Sequence, residues 1–176
     1  MKKWILFAAF FVLMLISFIF DREILKFFNA LPDKLFPFMY AASHYAFFIA
    51  VVLISSYLLW DKRKIVYLWA GISFTYVASI VLKLLVQRVR PLGSGLTSTG
   101  LEAFSFPSSH ATVYFFIFAF MAGYYEKYEY RLAFLLLAVL VSLSRVYLGL
   151  HYLTDVIGGG LLGAGLYLFL RKWIKG

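Results

Sequence analysis

The sequence predicts an all-α polytopic membrane protein, with six transmembrane helices in one bundle. Three observations carry that prediction. The 176-residue chain is 64% hydrophobic, with mean hydropathy +0.88, and a soluble domain of this length has no interior large enough for that much apolar surface. The apolar residues fall into six runs, at 4–20, 38–60, 65–86, 111–125, 131–148 and 154–174, of about the length a helix needs to cross a bilayer. The charged residues, 17 basic and 8 acidic, gather mainly between those runs, where loops meet lipid headgroups. Residues 1–176 read as a single integral-membrane domain.

Composition also narrows the chemistry. The net charge of +9 forms no basic helix or patch, so a nucleic-acid partner is not expected. Cysteine is absent, which removes disulfides and thiol chemistry. The three histidines are scattered among helices and make a poor zinc set, so neither a metal nor another cofactor is implied.

Taken in order, residues 4–20 follow Lys2 and Lys3 and could be a signal peptide. They end in Phe18-Ile19-Phe20-Asp21 with no small-residue cleavage site, so they read as the first helix. Residues 22–36 mix apolar and charged positions and predict a short interfacial helix broken at Pro32. His44 falls inside the second helix and reads as a neutral histidine bonded to a neighbouring helix, intramembrane ionisable groups being few and paired.

The third helix runs to Lys83 and Arg90-Pro91. Seven residues turn a helix about two full turns, which predicts both cations on one face about 10 Å apart, with Pro91 closing the helix. Lys83 is deep enough to need a polar cavity or an anion. Residues 92–106 form the one long polar loop. It leads into Pro107-Ser108-Ser109-His110, a helix start whose free amides suit an anion and whose serines suit a cap.

Ser144-Arg145 lie near the end of the fifth run, and His151 and Asp155 follow, four residues apart. On a helix that spacing shares a face, and a carboxylate so placed fixes an imidazole's tautomer. Arg145 offers a permanent fork for a phosphate. In the sixth run Gly159 and Gly163 have the small-xxx-small spacing of close helix packing. Arg88 and Glu102 belong to none of these clusters and read as solvated interfacial charges.

The positive-inside rule orients the bundle. Lys2, Lys3, Lys62, Arg63, Lys64, Lys127, Arg131, Arg171, Lys172 and Lys175 share one side, ten of the 17 basic residues. Both termini are therefore expected in the cytoplasm, and the three clusters at the outer membrane interface.

Together the clusters resemble the type-2 phosphatidic acid phosphatase family, whose motifs are K-x6-RP, PSGH and SR-x5-H-x3-D. The first and third match at every defined position; the second departs at Ser109, where the family usually has glycine. The motifs span Lys83 to Asp155, under half the chain. The resemblance implies a metal-independent lipid phosphatase of a bacterial plasma membrane, with its active site facing the periplasm or exterior. It implies that His151 attacks phosphorus, Asp155 orients it, and His110 protonates the leaving oxygen. Lys83, Arg90, Arg145, Ser108 and the Ser109 amide would hold the phosphate oxygens. The implied partner is a phosphorylated lipid in the bilayer: undecaprenyl pyrophosphate, phosphatidylglycerol phosphate or lipid A 1-phosphate. Buried cations also line anion pathways, so a transporter or channel is the alternative. A membrane scaffold would leave the clusters unexplained.

Overall fold

The computed structural model describes residues 2–91 and 103–174. These form α1 (Lys2–Asn29), α2 (Phe36–Ser43), α3 (Tyr45–Leu59), α4 (Lys62–Val86), α5 (Ser109–Tyr124), α6 (Tyr128–Tyr147) and α7 (Leu153–Ile174), with a 3-10 turn at Asp33–Leu35. Among the described residues α4, α6 and α7 are long and apolar enough to cross a membrane, and α2 with α3 make a further candidate as a pair bent by 53°.

The bundle is built around α5. It packs against α7, α6 and α4, while α1 lies on α7 and α6, and α2 on α6. Ala111, Phe116, Ile117, Phe120 and Met121 of α5 are buried. The outer helices do the reverse. Phe74, Val77, Val81 and Leu85 of α4 are exposed, whereas Gly71, Thr75, Ser79 and Lys83 are buried at a spacing of four. Four-residue spacing keeps one helix face, so α4 turns its small and polar stripe inward and its hydrocarbon outward, as lipid solvent demands.

Close approach of α7 to α5 fixes the centre. A Cβ on Gly163 would lie 2.0 Å from the Thr112 carbonyl oxygen, and one on Gly159 would lie 2.6 Å from that of Ser108. The small-residue spacing thus has the packing role the sequence suggested.

Three expectations need correction. Residues 22–29 do not form a separate interfacial helix but continue α1 to Asn29, because no glycine or proline interrupts the chain before Pro32. The second run is not one straight helix: it breaks at His44, whose extended backbone (φ −82, ψ 148) caps α3. His44 Nδ1 accepts the Ala46 amide at 3.2 Å, so this nitrogen caps its own helix, and among the described residues no bond to a neighbouring helix is seen. The third helix stops at Val86, where Gln87 takes the left-handed conformation (φ 50) and donates its amide to the Lys83 carbonyl. Arg90 is therefore not two turns beyond Lys83 on a helix.

Candidate active site

Four helices end around one site: the C-termini of α4 and α6 and the N-termini of α5 and α7. Beyond α4 the chain is extended, and Val89 bridges to Phe104 in antiparallel fashion. The Ser105 amide donates to the Arg88 carbonyl at 2.6 Å. This closes the base of the long loop, whose residues 92–102 lie outside the described residues. Lys83, only 5% exposed, points its ammonium at the Phe104 carbonyl (2.8 Å) and the Ser105 carbonyl (3.4 Å). Among the described residues, the hydrogen-bond partners of this deep cation are these two backbone carbonyls. Arg90 Nη1 reaches the Leu150 carbonyl at 3.4 Å.

The end of α6 explains the spacing between Arg145 and His151. Gly149, at φ 66, donates to the Val146 carbonyl, and Leu150 donates to the Arg145 carbonyl at 3.1 Å. This is a Schellman cap, which only glycine enters without strain. The turn also places the His151 amide on the Arg145 carbonyl, at 3.2 Å. His151 therefore sits in the loop before α7, not on the helix as expected. The pair with Asp155 survives by another route. Asp155 is the third residue of α7, and its Oδ2 accepts the Tyr152 amide at 2.8 Å, half of a capping box. Oδ2 lies 3.7 Å from His151 Nδ1, near but beyond hydrogen-bond length.

His151 is 2% exposed. Burial first, then the charges of Arg145, Arg90 and Lys83, hold its imidazole well below the ordinary histidine range. It is a neutral base among three cations. His110, in the first turn of α5, lies within electrostatic reach of His151, Arg145 and Arg90, with its ring 6.2 Å from that of Tyr45. Arg145 donates through Nη1 to the Ser43 hydroxyl at the end of α2. Ser108 occupies the N-cap position of α5 but makes no side-chain cap bond. Its amide donates to the Asp155 carbonyl at 3.0 Å, while its hydroxyl is buried without a partner among the described residues, as are Arg145 Nε and His151 Nδ1. The Ser109 hydroxyl accepts from Ser79 of α4 at 2.9 Å. All eight residues singled out from the sequence thus lie at these four helix ends.

The sequence profile of the PAP2 superfamily matches residues 64–176, all three clusters included. The chain belongs to the PAP2 superfamily. It is 41% identical over 101 residues to phosphatidylglycerophosphatase B of Bacillus subtilis (strain 168), covering 52% of this chain and 48% of that protein. It is 35% identical over 106 residues to a lipid A 1-phosphatase of Rhizobium johnstonii, covering 56% of this chain and 43% of the relative. The chain thus spans about half the length of these relatives. The crystal structure of a transmembrane PAP2 type phosphatidylglycerolphosphate phosphatase from Bacillus subtilis superposes with TM-score 0.72 and 25% identity, covering 96% of this chain and 95% of that one. With its long apolar helices, this PAP2 chain is a multi-pass membrane protein.

Two PAP2 site neighbours escaped the sequence reading. Arg88 is not a solvated charge. Its Nη1 donates to Asp155 Oδ1 at 2.8 Å and to Thr154 Oγ1 at 2.6 Å, and its Nη2 donates to Asp21 Oδ2 at 2.7 Å. Asp21 of α1 is buried, although by sequence it only ended an apolar run. The available signal was an acid and a cation at apolar boundaries with no motif to absorb them. Glu102, the other unassigned charge, lies outside the described residues.

Proposed function

We propose that this chain is a metal-independent membrane lipid phosphatase acting through a phosphohistidine at His151. The observation that carries the reading is a buried histidine within electrostatic reach of Lys83, Arg90 and Arg145, with the Ser108 hydroxyl at the start of α5 buried and without a partner among the described residues. Nδ1 faces Asp155, which leaves Nε2 to attack phosphorus. As the bond forms, the imidazole becomes cationic and Nδ1–H donates to Asp155. The three cations, the Ser108 hydroxyl and the Ser109 amide take the equatorial oxygens, stabilising charge by fixed donors. His110 gives a proton to the leaving oxygen and then takes one from the water that splits the phosphohistidine.

A lipid substrate is favoured by a cavity of about 280 Å³ lined by Tyr45, Phe48, Ile72, Tyr76, Val113 and Tyr114, with His110 on its wall. A hydrocarbon chain lying there would leave its phosphate at the histidines. The substrate is a phosphomonoester or pyrophosphate of a bacterial envelope lipid: phosphatidylglycerol phosphate, lipid A 1-phosphate or undecaprenyl pyrophosphate. The bundle crosses the plasma membrane six times, by α1, the bent α2–α3 pair and α4 to α7, as one domain over residues 1–176. Both termini are cytoplasmic, and the site, at the opposite ends of α4 to α7, faces the periplasm or exterior.

The test is phosphate release from the three lipids by purified protein in mild detergent. Wild type releases phosphate from at least one, and His151→Ala from none. Equal rates for both proteins would defeat the reading.

A further inference from the structure

We propose that Arg88 and Asp21 are positioning residues for the reaction, aiming the Asp155 carboxylate at His151 while keeping net negative charge behind it. The proposal rests on the phosphatase reading and adds residues outside the motifs. Both oxygens of Asp155 are already held, Oδ1 by Arg88 Nη1 at 2.8 Å and Oδ2 by the Tyr152 amide at 2.8 Å. These two donors fix the plane of the carboxylate with Oδ2 toward His151 Nδ1. Arg88 is itself fixed: its guanidinium carbon stands 4.1 Å from the centre of the Tyr152 ring and 5.2 Å from that of Phe18.

Asp21 supplies what Arg88 alone would remove. A single arginine on Asp155 would neutralise it and weaken its pull on a cationic imidazole. Asp21 shares that arginine through Nη2, at 2.7 Å. It also accepts the Thr154 amide at 3.1 Å and the Thr154 hydroxyl. Two acids and one cation leave one negative charge, in side chains only 4% and 0% exposed for Asp21 and Asp155. Charge buried that deeply acts with little screening.

A pair that merely ties α1 and the segment after α4 to α7 would change stability alone. A positioning pair changes rate and pH dependence, with opposite signs for its two members. The charged and titratable groups facing His151 are Lys83 from α4, Arg90 from the following segment, His110 from α5, Arg145 from α6 and Asp155 from α7. Asp21 and Arg88 stand behind Asp155. Loss of Asp21 removes a negative charge, which makes His151 harder to protonate and moves the acid limb of kcat/KM to lower pH. Loss of Arg88 removes a positive charge and moves that limb to higher pH.

The experiment compares wild type, Asp21→Asn, Arg88→Gln, Arg88→Lys and the double variant Asp21→Asn/Arg88→Gln, by lipid phosphate release across pH and by melting midpoint. Arg88→Gln is expected to lose roughly 10²-fold in kcat, the effect of misplacing a catalytic group by about 1 Å, with KM little changed. Arg88→Lys keeps the charge but not the fork and should recover part of the loss. The double variant restores the net charge and should exceed Arg88→Gln in rate, a non-additivity that marks direct coupling. Wild-type kcat and an unmoved acid limb in both single variants, with only lower melting midpoints, would overturn the proposal and leave the phosphatase reading standing. A wild type that releases no phosphate would overturn both.

Discussion

An alanine at Gly159 should damage catalysis more than folding. Its methyl would lie 2.6 Å from the Ser108 carbonyl oxygen and 3.0 Å from Thr112 Oγ1, where ordinary contact begins at 3.4 Å. The helices must therefore part by about 0.8 Å at this point, the difference between 3.4 and 2.6 Å. Gly159 is one turn beyond Asp155, and the Ser108 amide is bonded to the Asp155 carbonyl at 3.0 Å. The shift thus falls on the two groups that flank His151. Overpacking costs about 1–3 kcal/mol, of which alanine's better helix propensity returns about 1 kcal/mol. The net loss of about 0–2 kcal/mol lowers the melting midpoint of a chain this size by no more than ~8 °C. Misplacement by about 1 Å costs on the order of 10²-fold in rate, so kcat should fall ~10- to 100-fold. Gly163→Ala faces a shorter contact, 2.0 Å to the Thr112 carbonyl, a turn farther from the site, and should lose mainly stability. Gly165→Ala meets nothing within 4 Å and should keep wild-type kcat with equal or higher stability. Initial rates of phosphate release and detergent-solubilised thermal melts measure all three. A Gly159→Ala protein with wild-type kcat, or a Gly165→Ala protein as impaired as Gly159→Ala, would refute the reasoning.

Three further outcomes are expected. His151→Ala should form no phosphoenzyme with any substrate, whereas His110→Ala should lose turnover chiefly with alkoxide leaving groups, by roughly 10²–10⁴-fold, and much less with an activated aryl phosphate. Rapid-quench trapping of phosphohistidine reads both, and equal losses on the two leaving groups would reverse the assignment. The acid limb of kcat/KM should lie below the ordinary histidine value of about 6.5, because only neutral His151 attacks and burial with Arg145, Arg90 and Lys83 opposes its protonation; Arg145→Gln removes one of those charges and should move the limb to higher pH. Activity should survive a strong chelator, and loss restored by magnesium or zinc would overturn the metal-independent mechanism.

The eight candidate residues were legible as a group in the sequence, but the local geometry expected for them was wrong. Lys83 and Arg90 were expected on two successive helix turns because seven residues fit that geometry. Instead Gln87 ends α4, and Arg90 arrives on an extended segment held by the Val89–Phe104 bridge. A left-handed glutamine has no residue-type signature, while Pro91 offered a conspicuous but later stop. His151 and Asp155 likewise meet through a Schellman turn and a capping bond, not through helical periodicity. Gly149 was the readable sign of that turn. Arg88 and Asp21 were hidden for another reason: they are 67 residues apart in sequence, and periodicity reports only near neighbours. The apolar runs, by contrast, matched the helices closely, since lipid-facing surface leaves its mark at nearly every position. The exceptions were continuations or breaks that depend on one residue, His44 in the second run and the uninterrupted stretch after Asp21 in the first.

The two helix N-termini at the site are finished differently, and in the phosphatase reading the difference divides their roles. At α7 the side chain of Asp155 takes the Tyr152 amide and that of Asp21 takes the Thr154 amide. The positive end of that helix dipole is thus answered by two carboxylates. A phosphate would find repulsion there, so this terminus suits orientation of His151 and not the binding of oxygens. At α5 the N-cap residue Ser108 makes no side-chain cap bond, its hydroxyl is buried without a partner among the described residues, and the cations Arg145 and Arg90 lie within electrostatic reach of His110 in the first turn. Its first amides are the ones suited to an anion. In the phosphatase reading, α5 and the three cations hold the phosphate while α7, braced by Arg88 and Asp21, holds the histidine that attacks it. The glycine contacts between α7 and α5 then set the distance between nucleophile and phosphorus.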